Sequence, residues 1–286
     1  MFGFLNIYKP KGMTSHDVVS YLRRILKIKQ IGHSGTLDPL AEGVLPIAIG
    51  KATRLFEYFS DDKAYIVEMK FGQISDTYDS EGVIEEFSDK KVTEDELLKV
   101  IPNFVGNITQ IPPAHSAVHY KGKRLYELAR KGIIPDDIPK REVNVEKIDL
   151  LDFDFDKQTA RLEIFCSKGT YIRSIVNDIG MALESGAYMY DLLRSISSNF
   201  TLKDSFKLDE IQSVEDAKKM LINPVEVLLY KQKQLSDEDF CRVKNGNYIQ
   251  NDDYQDSENL FLVYDNQTVA LASVEDNLIK VKKVFL

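Results

Sequence analysis

The chain has 286 residues and a mass of 32.7 kDa, with 43% hydrophobic and 29% charged side chains, enough for one large domain and a small one. A formal net charge of −8 and a pI of about 5.2 exclude a histone-like protein that coats nucleic acid by bulk positive charge. The apolar runs are far shorter than the ~20 residues that span a bilayer, and no secretion signal precedes them, so a cytoplasmic protein is expected. Cys166 and Cys241 are expected to be free thiols.

The first 60 residues predict a strand, a helix and a second strand. Residues 2–8 have the pattern of a strand that ends at a Pro- and Gly-containing turn, after which Thr14 or Ser15 can cap a helix. The apolar residues of that helix recur with a 3.6-residue period: Val18, Val19, Leu22, Ile25 and Leu26. A loop rich in Gly and Pro over 31–43 then leads into the apolar run 44–49, which predicts a buried strand.

The middle of the chain predicts further strands separated by polar segments. Residues 64–71 alternate in hydrophobicity with a period of two, which is typical of a strand. The acidic stretch 76–89 indicates an exposed, turn-rich excursion. A helix is predicted over 123–131, and a strand pair over 143–155 and 159–166.

The pattern changes towards the C-terminus. Helical spacing returns over 170–183. From about residue 235 a short capped helix is followed by three short strands, near 259–264, 268–274 and 278–285. We therefore predict a large domain over 1–234 and a small β-rich module over 235–286.

The loop Gly32–Gly43 contains three glycines and a proline in twelve residues, which predicts a tight and constrained backbone. Asp38 precedes Pro39 and is therefore held extended, where its carboxylate could act as a nucleophile or a general base. A single Asp-Pro pair more often starts a turn, and His33 alone is more often a hydrogen-bonded loop residue than a base.

A second candidate segment, Ser167–Arg173, lies between a predicted strand and a predicted helix. Tyr171 offers a flat stacking surface, and Arg173 could pair with a carboxylate and keep it ionised. Taken singly, these residues and Tyr65 are more often structural. The sequence contains no P-loop, dinucleotide-binding fingerprint, HExxH or CxxC pair, so nucleotide hydrolysis has no support.

Charge is distributed unevenly along the chain. Residues 1–60 carry eight basic and four acidic side chains, whereas 61–100 carry five basic and twelve acidic ones. Between 119 and 135 one acid, Glu127, accompanies five basic residues: Lys121, Lys123, Arg124, Arg130 and Lys131. Basic clusters usually form solvated surfaces, so these predict a locally basic cleft for RNA only if a catalytic site lies beside them.

Five segments together closely resemble bacterial tRNA pseudouridine synthases of the TruB type, in the same order and with the same spacing. They are 9–17 (KPKGMTSHD), 32–55, 111–117 (IPPAHSA), 122–130 (GKRLYELAR) and 166–173 (CSKGTYIR). The resemblance is strong over about residues 1–200 and weaker beyond.

The resemblance implies an α+β fold, in which a mixed, mainly antiparallel pseudouridine-synthase sheet is flanked by helices. It implies a catalytic domain over 1–234, an RNA-contacting insertion at about 105–142 and a PUA-like RNA-binding module over 235–286. The implied reaction is the isomerisation of uridine 55 in the T arm of tRNA to pseudouridine, without a cofactor or a metal. The expected partner is tRNA alone, with no guide RNA and no membrane, and a monomer is expected.

The resemblance also assigns site residues by position. Asp38 matches the nucleophile, which attacks the ribose C1′ or the base, Arg173 matches the arginine paired with it, and Tyr65 matches the tyrosine that stacks on the target base. The residues that match substrate-binding positions are Tyr65, His33, Tyr171, Leu193 and Lys11. The sequence departs from the family pattern at His115, His119 and Ser195.

Three alternatives remain at this stage. One is a pseudouridine synthase that acts on other RNA, including a guide-dependent enzyme with protein partners. Another is an RNA-folding chaperone that binds the T arm without needing catalysis. A third, a glycosidase with paired carboxylates, would need a second acid near Asp38, for which Glu42 is the nearest in sequence.

Overall fold

The computed structural model describes residues 1–135, 137–251 and 253–286. Asp136, within the predicted insertion, and Asp252, within the predicted C-terminal module, lie outside the described residues. The α-helices are α1 Ser15–Leu26, α2 Glu94–Val100, α3 Leu125–Ala129, α4 Ile172–Ala182, α5 Val214–Lys219, α6 Pro224–Leu228 and α7 Asp237–Lys244, and the 3-10 helices are Gly50–Tyr58, Ile101–Phe104, Leu202–Asp204 and Leu208–Glu210.

Strands make up most of the regular structure. In the first 200 residues they are β1 Gly3–Lys9, β2 Ile31–His33, β3 Glu42–Ile49, β4 Lys63–Phe71, β5 Gln73–Ser75, β6 Ile84–Glu86, β7 Gly106–Gln110, β8 His119–Tyr120, β9 Lys123–Arg124, β10 Arg141–Asp154, β11 Thr159–Cys166 and β12 Ala187–Ser197. The later ones are β13 Phe200–Thr201, β14 Phe206–Lys207, β15 Lys231–Gln234, β16 Ile249–Gln250, β17 Asn259–Tyr264, β18 Gln267–Glu275 and β19 Leu278–Val284.

One large sheet organises the described part of the first 207 residues. Its strand order is β14-β1-β3-β12-β4-β11-β10-β7, with β2 beside β3 and β13 beside β12. The pairs β14–β1 and β3–β12 are parallel and the other pairs are antiparallel. The predicted α+β fold with a mixed, mainly antiparallel sheet is therefore confirmed.

The two halves of this sheet are covered by different elements. Residues Val67, Met69 and Phe71 of β4 pack in one core with the apolar residues of α4. Leu5 and Ile7 of β1 pack with α1 in a second core. Because side chains alternate along a strand, the intervening Phe4 points to the opposite face, where it joins a third core.

The C-terminal module is a second sheet with the order β15-β17-β18-β19-β16. Alternate residues of β17, Leu260 and Leu262, fill its own core. Phe261 points the other way and shares the third core with Phe4, and the rings of Phe2 and Phe285 lie 4.7 Å apart. The β-rich module is thus confirmed, and its apolar outer face packs against the large sheet.

The start of α1 follows the capping pattern that the sequence predicts. Thr14, and not Ser15, caps α1: its hydroxyl accepts from the backbone N–H of Asp17 at 3.1 Å, and its own N–H donates to the Asp17 carboxylate at 2.8 Å. The predicted helix over 123–131 is shorter, because β9 replaces its first turn. Among the described residues no helix is long and apolar enough to cross a membrane.

The prediction of an exposed, turn-rich excursion over 76–89 is confirmed for most of the segment, and Asp79 is the exception. Strands β5 and β6 form a hairpin around it, and Asp79 is only 3% exposed. Composition indicated solvent exposure for this segment, whereas a partner far away in the sequence buries one of its carboxylates.

Gly43 is the glycine at which the packing around the β2–β3 loop can be tested. Its φ is +104°, and a Cβ there would lie 2.3 Å from the carbonyl oxygen of Arg194. We expect Gly43→Ala to lower the free energy of unfolding by about 3 kcal/mol or more, since the strained φ and the backbone clash add. Gly12 is the matched control, with a φ of +79° and no neighbour within 4 Å of its Cβ position. Gly12→Ala should cost only the conformational term, about 1 kcal/mol. Chemical unfolding of both variants measures the difference, and equal losses would contradict the clash.

Candidate active site

The loop that carries Asp38 joins β2 to β3 and is fixed at several points. The buried Ser15 hydroxyl accepts from the backbone N–H of Leu37 at 2.8 Å and lies 3.2 Å from its carbonyl oxygen. The N–H of Ser34 donates to Pro46 at 2.9 Å, and that of Ala41 to Asp38 at 3.1 Å. Leu37 is buried, whereas the side chain of Asp38 is 38% exposed. The loop therefore holds a carboxylate at the surface of a rigid support.

Lys9, the last residue of β1, contacts the same loop from inside the protein. Its side chain is fully buried, and Nζ donates to the carbonyl oxygens of Met13 at 2.6 Å and Pro10 at 2.8 Å and lies 3.4 Å from that of Pro39. Burial lowers the pKa of Lys9 to about 8, although the charge of Asp38 opposes that shift. No sequence pattern singled out Lys9, because a lysine beside a turn is usually exposed.

Arg173, on the first turn of α4, joins two carboxylates. Its Nη2 lies 3.1 Å from Oδ2 of Asp38, and its Nη1 lies 3.1 Å from Oδ2 of Asp79. Its guanidinium also donates to the carbonyl oxygens of Thr77 at 3.3 Å and His115 at 3.1 Å. The side chains of Arg173 and Asp79 are 7% and 4% exposed, so Asp38 is the open member of this network.

Asp79 was missed by the sequence reasoning. Besides Arg173, its carboxylate accepts from the Thr77 hydroxyl at 2.6 Å and from the backbone N–H of Glu81 at 3.1 Å. The only signal was its place among small polar residues in an acidic turn, which is also the signal of a solvated loop. Burial with saturated hydrogen bonding makes Asp79 a fixed counter-charge for Arg173.

A buried amide clamps the backbone just before Arg173. Gln110, which ends β7 and is 1% exposed, accepts from the N–H of Tyr171 at 3.0 Å and donates to its carbonyl oxygen at 3.2 Å. The Ser174 hydroxyl donates to the carbonyl oxygen of Ile111 at 2.8 Å. The start of the predicted insertion is thus attached to the segment that carries Tyr171 and Arg173.

Tyr65 lies on β4, directly opposite Arg194 of β12. The almost fully buried Arg194 donates from Nε to the carbonyl oxygen of Val44 at 2.7 Å and from Nη2 to that of Gly35 at 3.3 Å. Burial raises the pKa of the Tyr65 hydroxyl, and the charge of Arg194 opposes this shift. Arg194 therefore connects the strand of Tyr65 to the loop of Asp38, a role that its sequence position did not indicate.

The other predicted substrate-binding residues lie in different surroundings. His33 is half-buried on β2, burial lowers its pKa, and its buried Nδ1 has no hydrogen-bond partner among the described residues. Leu193 packs against Gly43. Lys11 lies at the surface, with Nζ 2.5 Å from Asp191 and 3.9 Å from Glu42, and it contacts these acids instead of Asp38.

Two of the three departures from the family pattern lie away from Arg173. His119 is exposed in the short strand β8, and Ser195 has a buried hydroxyl without a partner among the described residues. His115 contributes its backbone carbonyl to Arg173, a contact that any residue could make. In the described ranges, no group of three or more His, Cys, Asp and Glu side chains could hold a metal ion.

The arrangement as a whole suits nucleophilic chemistry on a ring that can stack. It provides a partly exposed carboxylate with a buried cationic partner, on the same side of the sheet as a tyrosine ring. The rigid supports under Asp38 fix where that carboxylate meets a substrate.

Comparison with known proteins extends the similarity over the whole chain. A family model described as TruB family pseudouridylate synthase (N terminal domain) matches residues 23–172. A protein named tRNA pseudouridine synthase B from Carboxydothermus hydrogenoformans is 42% identical over 292 residues, which cover 100% of this chain and 99% of the relative. A protein of the same name from Clostridium kluyveri is 37% identical over 294 residues, which cover 100% of both.

Solved structures share the architecture. A chain in the crystal structure of a Cbf5-Nop10-Gar1 complex matches with a TM-score of 0.72 and 25% identity, over 100% of this chain and 85% of that one. A chain in the structure of an H/ACA RNP bound to a substrate RNA containing 2′-deoxyuridine matches with a TM-score of 0.71 and 24% identity, over 100% and 85%. The second similarity concerns the fold alone.

The shared ion pairs of Arg173 lead to a stability prediction. Asp79→Asn leaves a buried guanidinium with only the partly exposed Asp38 as a counter-charge, so we expect a loss of about 3 kcal/mol in the free energy of unfolding. Asp191→Asn is the matched control, because the Asp191 and Lys11 side chains are 34% and 45% exposed. That variant should lose less than about 1 kcal/mol. Denaturant unfolding at neutral pH gives both values, and a similar small loss in the two variants would refute the view of Asp79 as a buried counter-charge.

Proposed function

We propose that this chain, which belongs to the TruB family of pseudouridylate synthases, isomerises uridine 55 in the T arm of tRNA to pseudouridine. The observation that carries the proposal is the pair of Asp38 and Arg173, 3.1 Å apart, with the carboxylate partly exposed and the guanidinium buried. The relatives named tRNA pseudouridine synthase B, which match the chain along its entire length, support tRNA as the substrate.

Asp38 is the nucleophile of the proposed reaction. A carboxylate that enters a dry site loses solvation, and the charge of Arg173 offsets that cost while its fork holds the attacking oxygen in place. Asp79 fixes the guanidinium from the other side, so that Arg173 need not move when substrate contacts Asp38. The supports from Ser15 and Lys9 restrict the loop in the same way.

The chemistry balances without an oxidant, a reductant or a cofactor. Asp38 attacks the flipped nucleotide at the ribose C1′ or at the base, and the bond between N1 of uracil and C1′ breaks. The base turns, C5 bonds to C1′, the hydrogen on C5 leaves as a proton, and N1 gains a proton. The carboxylate is released unchanged, so product and substrate are isomers.

The target base must leave the folded T loop before Asp38 can reach it. Unstacking costs energy, and stacking on an aromatic side chain returns about 1–3 kcal/mol per base. Tyr65 supplies this surface, Tyr171 and Leu193 line the pocket, and His33 helps to hold the base outside the loop. Lys11 contributes at the rim, where RNA would compete with Asp191 and Glu42 for its ammonium group.

The enzyme is proposed to act as a monomer on tRNA without a guide RNA. The insertion at about 105–142 carries its own basic cluster, and the PUA-like module over 235–286 supplies a second RNA-binding surface. The solved relative in a Cbf5-Nop10-Gar1 complex raises the alternative of an enzyme that works only with protein partners. Conversion of unmodified tRNA by the purified chain alone separates the two.

The proposal is tested by tritium release from tRNA that carries 5-tritiated uridine. The wild-type chain should release one tritium per target uridine, and mapping should locate pseudouridine at position 55. Asp38→Asn, which keeps the shape of the side chain, should lower release by at least about 10³-fold while RNA binding persists, because the nucleophile is lost. Absence of release by the wild-type chain would rule out the enzyme, and binding without release would favour the chaperone alternative.

The stacking role of Tyr65 gives a graded prediction. Tyr65→Leu removes the aromatic surface and should reduce turnover by about 10-fold or more, which corresponds to stacking worth about 1–3 kcal/mol. Tyr65→Phe keeps the ring and should turn over faster than Tyr65→Leu. Single-turnover kinetics measure both, with thermal unfolding as the control for the fold. Equal rates in the two variants would show that the ring contributes nothing.

A further inference from the structure

Lys63, the first residue of β4, is a buried cation without an acidic partner. It is 8% exposed, and no carboxylate of the described residues comes within the 4.0 Å of an ion pair. The nearby Asp61 pairs with Lys168 instead, at 2.8 Å. Neither the sequence motifs nor the mechanism proposed above uses Lys63.

The register of the large sheet puts Lys63 on the wall of the site. It precedes Tyr65 by two residues, so both side chains are on the same face of β4. Its direct neighbours across the sheet are Cys166 on β11 and Ser197 on β12. Cys166 begins the 166–173 segment that carries Tyr171 and Arg173, so Lys63 lies at the base of that segment.

The immediate surroundings do not neutralise the ammonium group. Burial raises the pKa of the Cys166 thiol to about 11, so this group stays neutral, and the Ser197 hydroxyl is buried without a hydrogen-bond partner among the described residues. Burial, reinforced by the charge of Arg194, lowers the pKa of Lys63 to about 8, although the charges of Asp61 and Asp62 oppose that shift from a distance too long for an ion pair. The ammonium group therefore has no ion-pair or hydrogen-bond partner among the described residues, and Nζ is not one of the fully buried unpartnered atoms, so it remains within reach of solvent.

A largely buried cation that has no partner and still reaches solvent beside a reactive site suggests an anionic ligand, and the substrate of the proposed function supplies one. A flipped nucleotide turns about its own backbone into the pocket, so the phosphates on either side of it must pass close to the pocket wall. Other cations border this wall. Arg141 Nη1 lies 3.7 Å from the Cβ position of Gly169, and Lys168 is 72% exposed in the same loop. A lysine ammonium suits a phosphate, which it binds as a point charge.

We propose that Lys63 binds a backbone phosphate of the RNA next to the flipped uridine. This inference rests on the proposed function, because it takes the target nucleotide to stack on Tyr65. The missing counter-charge can come from either of two phosphates, the one on the 5′ side of the target uridine or the one on its 3′ side.

The test uses T-arm stem-loops in which one linkage, 5′ or 3′ of the target uridine, is an uncharged methylphosphonate. Dissociation constants are measured for the full chain in an Asp38→Asn background, so that bound RNA stays unconverted. The variants are Lys63→Met and, as a matched control, Lys70→Met on the opposite face of β4. Wild-type turnover of the unmodified stem-loop is checked separately, so a failure of the proposed function is recognised on its own.

Lys63→Met should weaken binding of the unmodified stem-loop by about tenfold and make the log–log salt dependence shallower by about 0.7–0.9, one phosphate contact. Lys70→Met should change neither. One methylphosphonate should weaken binding to the Lys63 protein by about tenfold without weakening binding to Lys63→Met further. The position of that methylphosphonate identifies the phosphate that Lys63 binds.

Two results would overturn the inference. In one, neither methylphosphonate weakens binding to the protein that retains Lys63. This measurement does not use Lys63→Met, so it does not depend on whether that variant folds. In the other, the methylphosphonate and Lys63→Met weaken binding independently. Thermal unfolding should show Lys63→Met at least as stable as its parent, since the change removes an unpaired charge from a largely buried side chain.

Discussion

The shared guanidinium of Arg173 is the contact on which the site depends. Four segments meet there: α4, which carries it; the β2–β3 loop with Asp38; the β5–β6 hairpin with Asp79; and the insertion, through the carbonyl oxygen of His115. A planar, five-donor group can satisfy all of these acceptors at once, which the point charge of a lysine could not do. The position of Asp38 is therefore set jointly by parts of the chain that are far apart in sequence.

The same region holds more buried positive charge than buried negative charge. Lys9, Lys63, Arg173 and Arg194 are all below 9% exposed, whereas among the described acids Asp79 alone is buried and Asp38 is partly open. Lys9 and Arg194 are satisfied by backbone carbonyl oxygens, which leave their charge in place. An acidic protein can thus present a cationic pocket to RNA, because a buried charge is screened by solvent much less than the surface acids.

Patterns of local origin were predictable from the sequence, and long-range polar contacts were not. Strand β4 and the C-terminal strands follow from alternation and turn residues, and α1 follows from its cap. The pairing of Asp38 with Arg173 was anticipated only through resemblance to a family. Asp79 and Arg173 are 94 residues apart, and composition made Asp79 look solvated. Lys11 was singled out in the turn after β1, but Lys9 makes the contact to the loop of Asp38. The sequence could not tell the two apart, because no periodicity distinguishes a buried lysine from an exposed one.

The start of the predicted insertion is attached to the segment that positions the reactive carboxylate. Gln110, Ile111 and His115 lie at the start of the insertion and bond to Tyr171, Ser174 and Arg173. Three residues at the start of α4 are thus bonded to one short segment of the chain. Gln110 is almost fully buried, so this attachment is rigid and holds the guanidinium that positions Asp38 in place. The basic cluster lies farther along the predicted insertion and takes no part in these contacts. In the proposed function it can therefore adapt to RNA while the buried contacts keep the carboxylate in position.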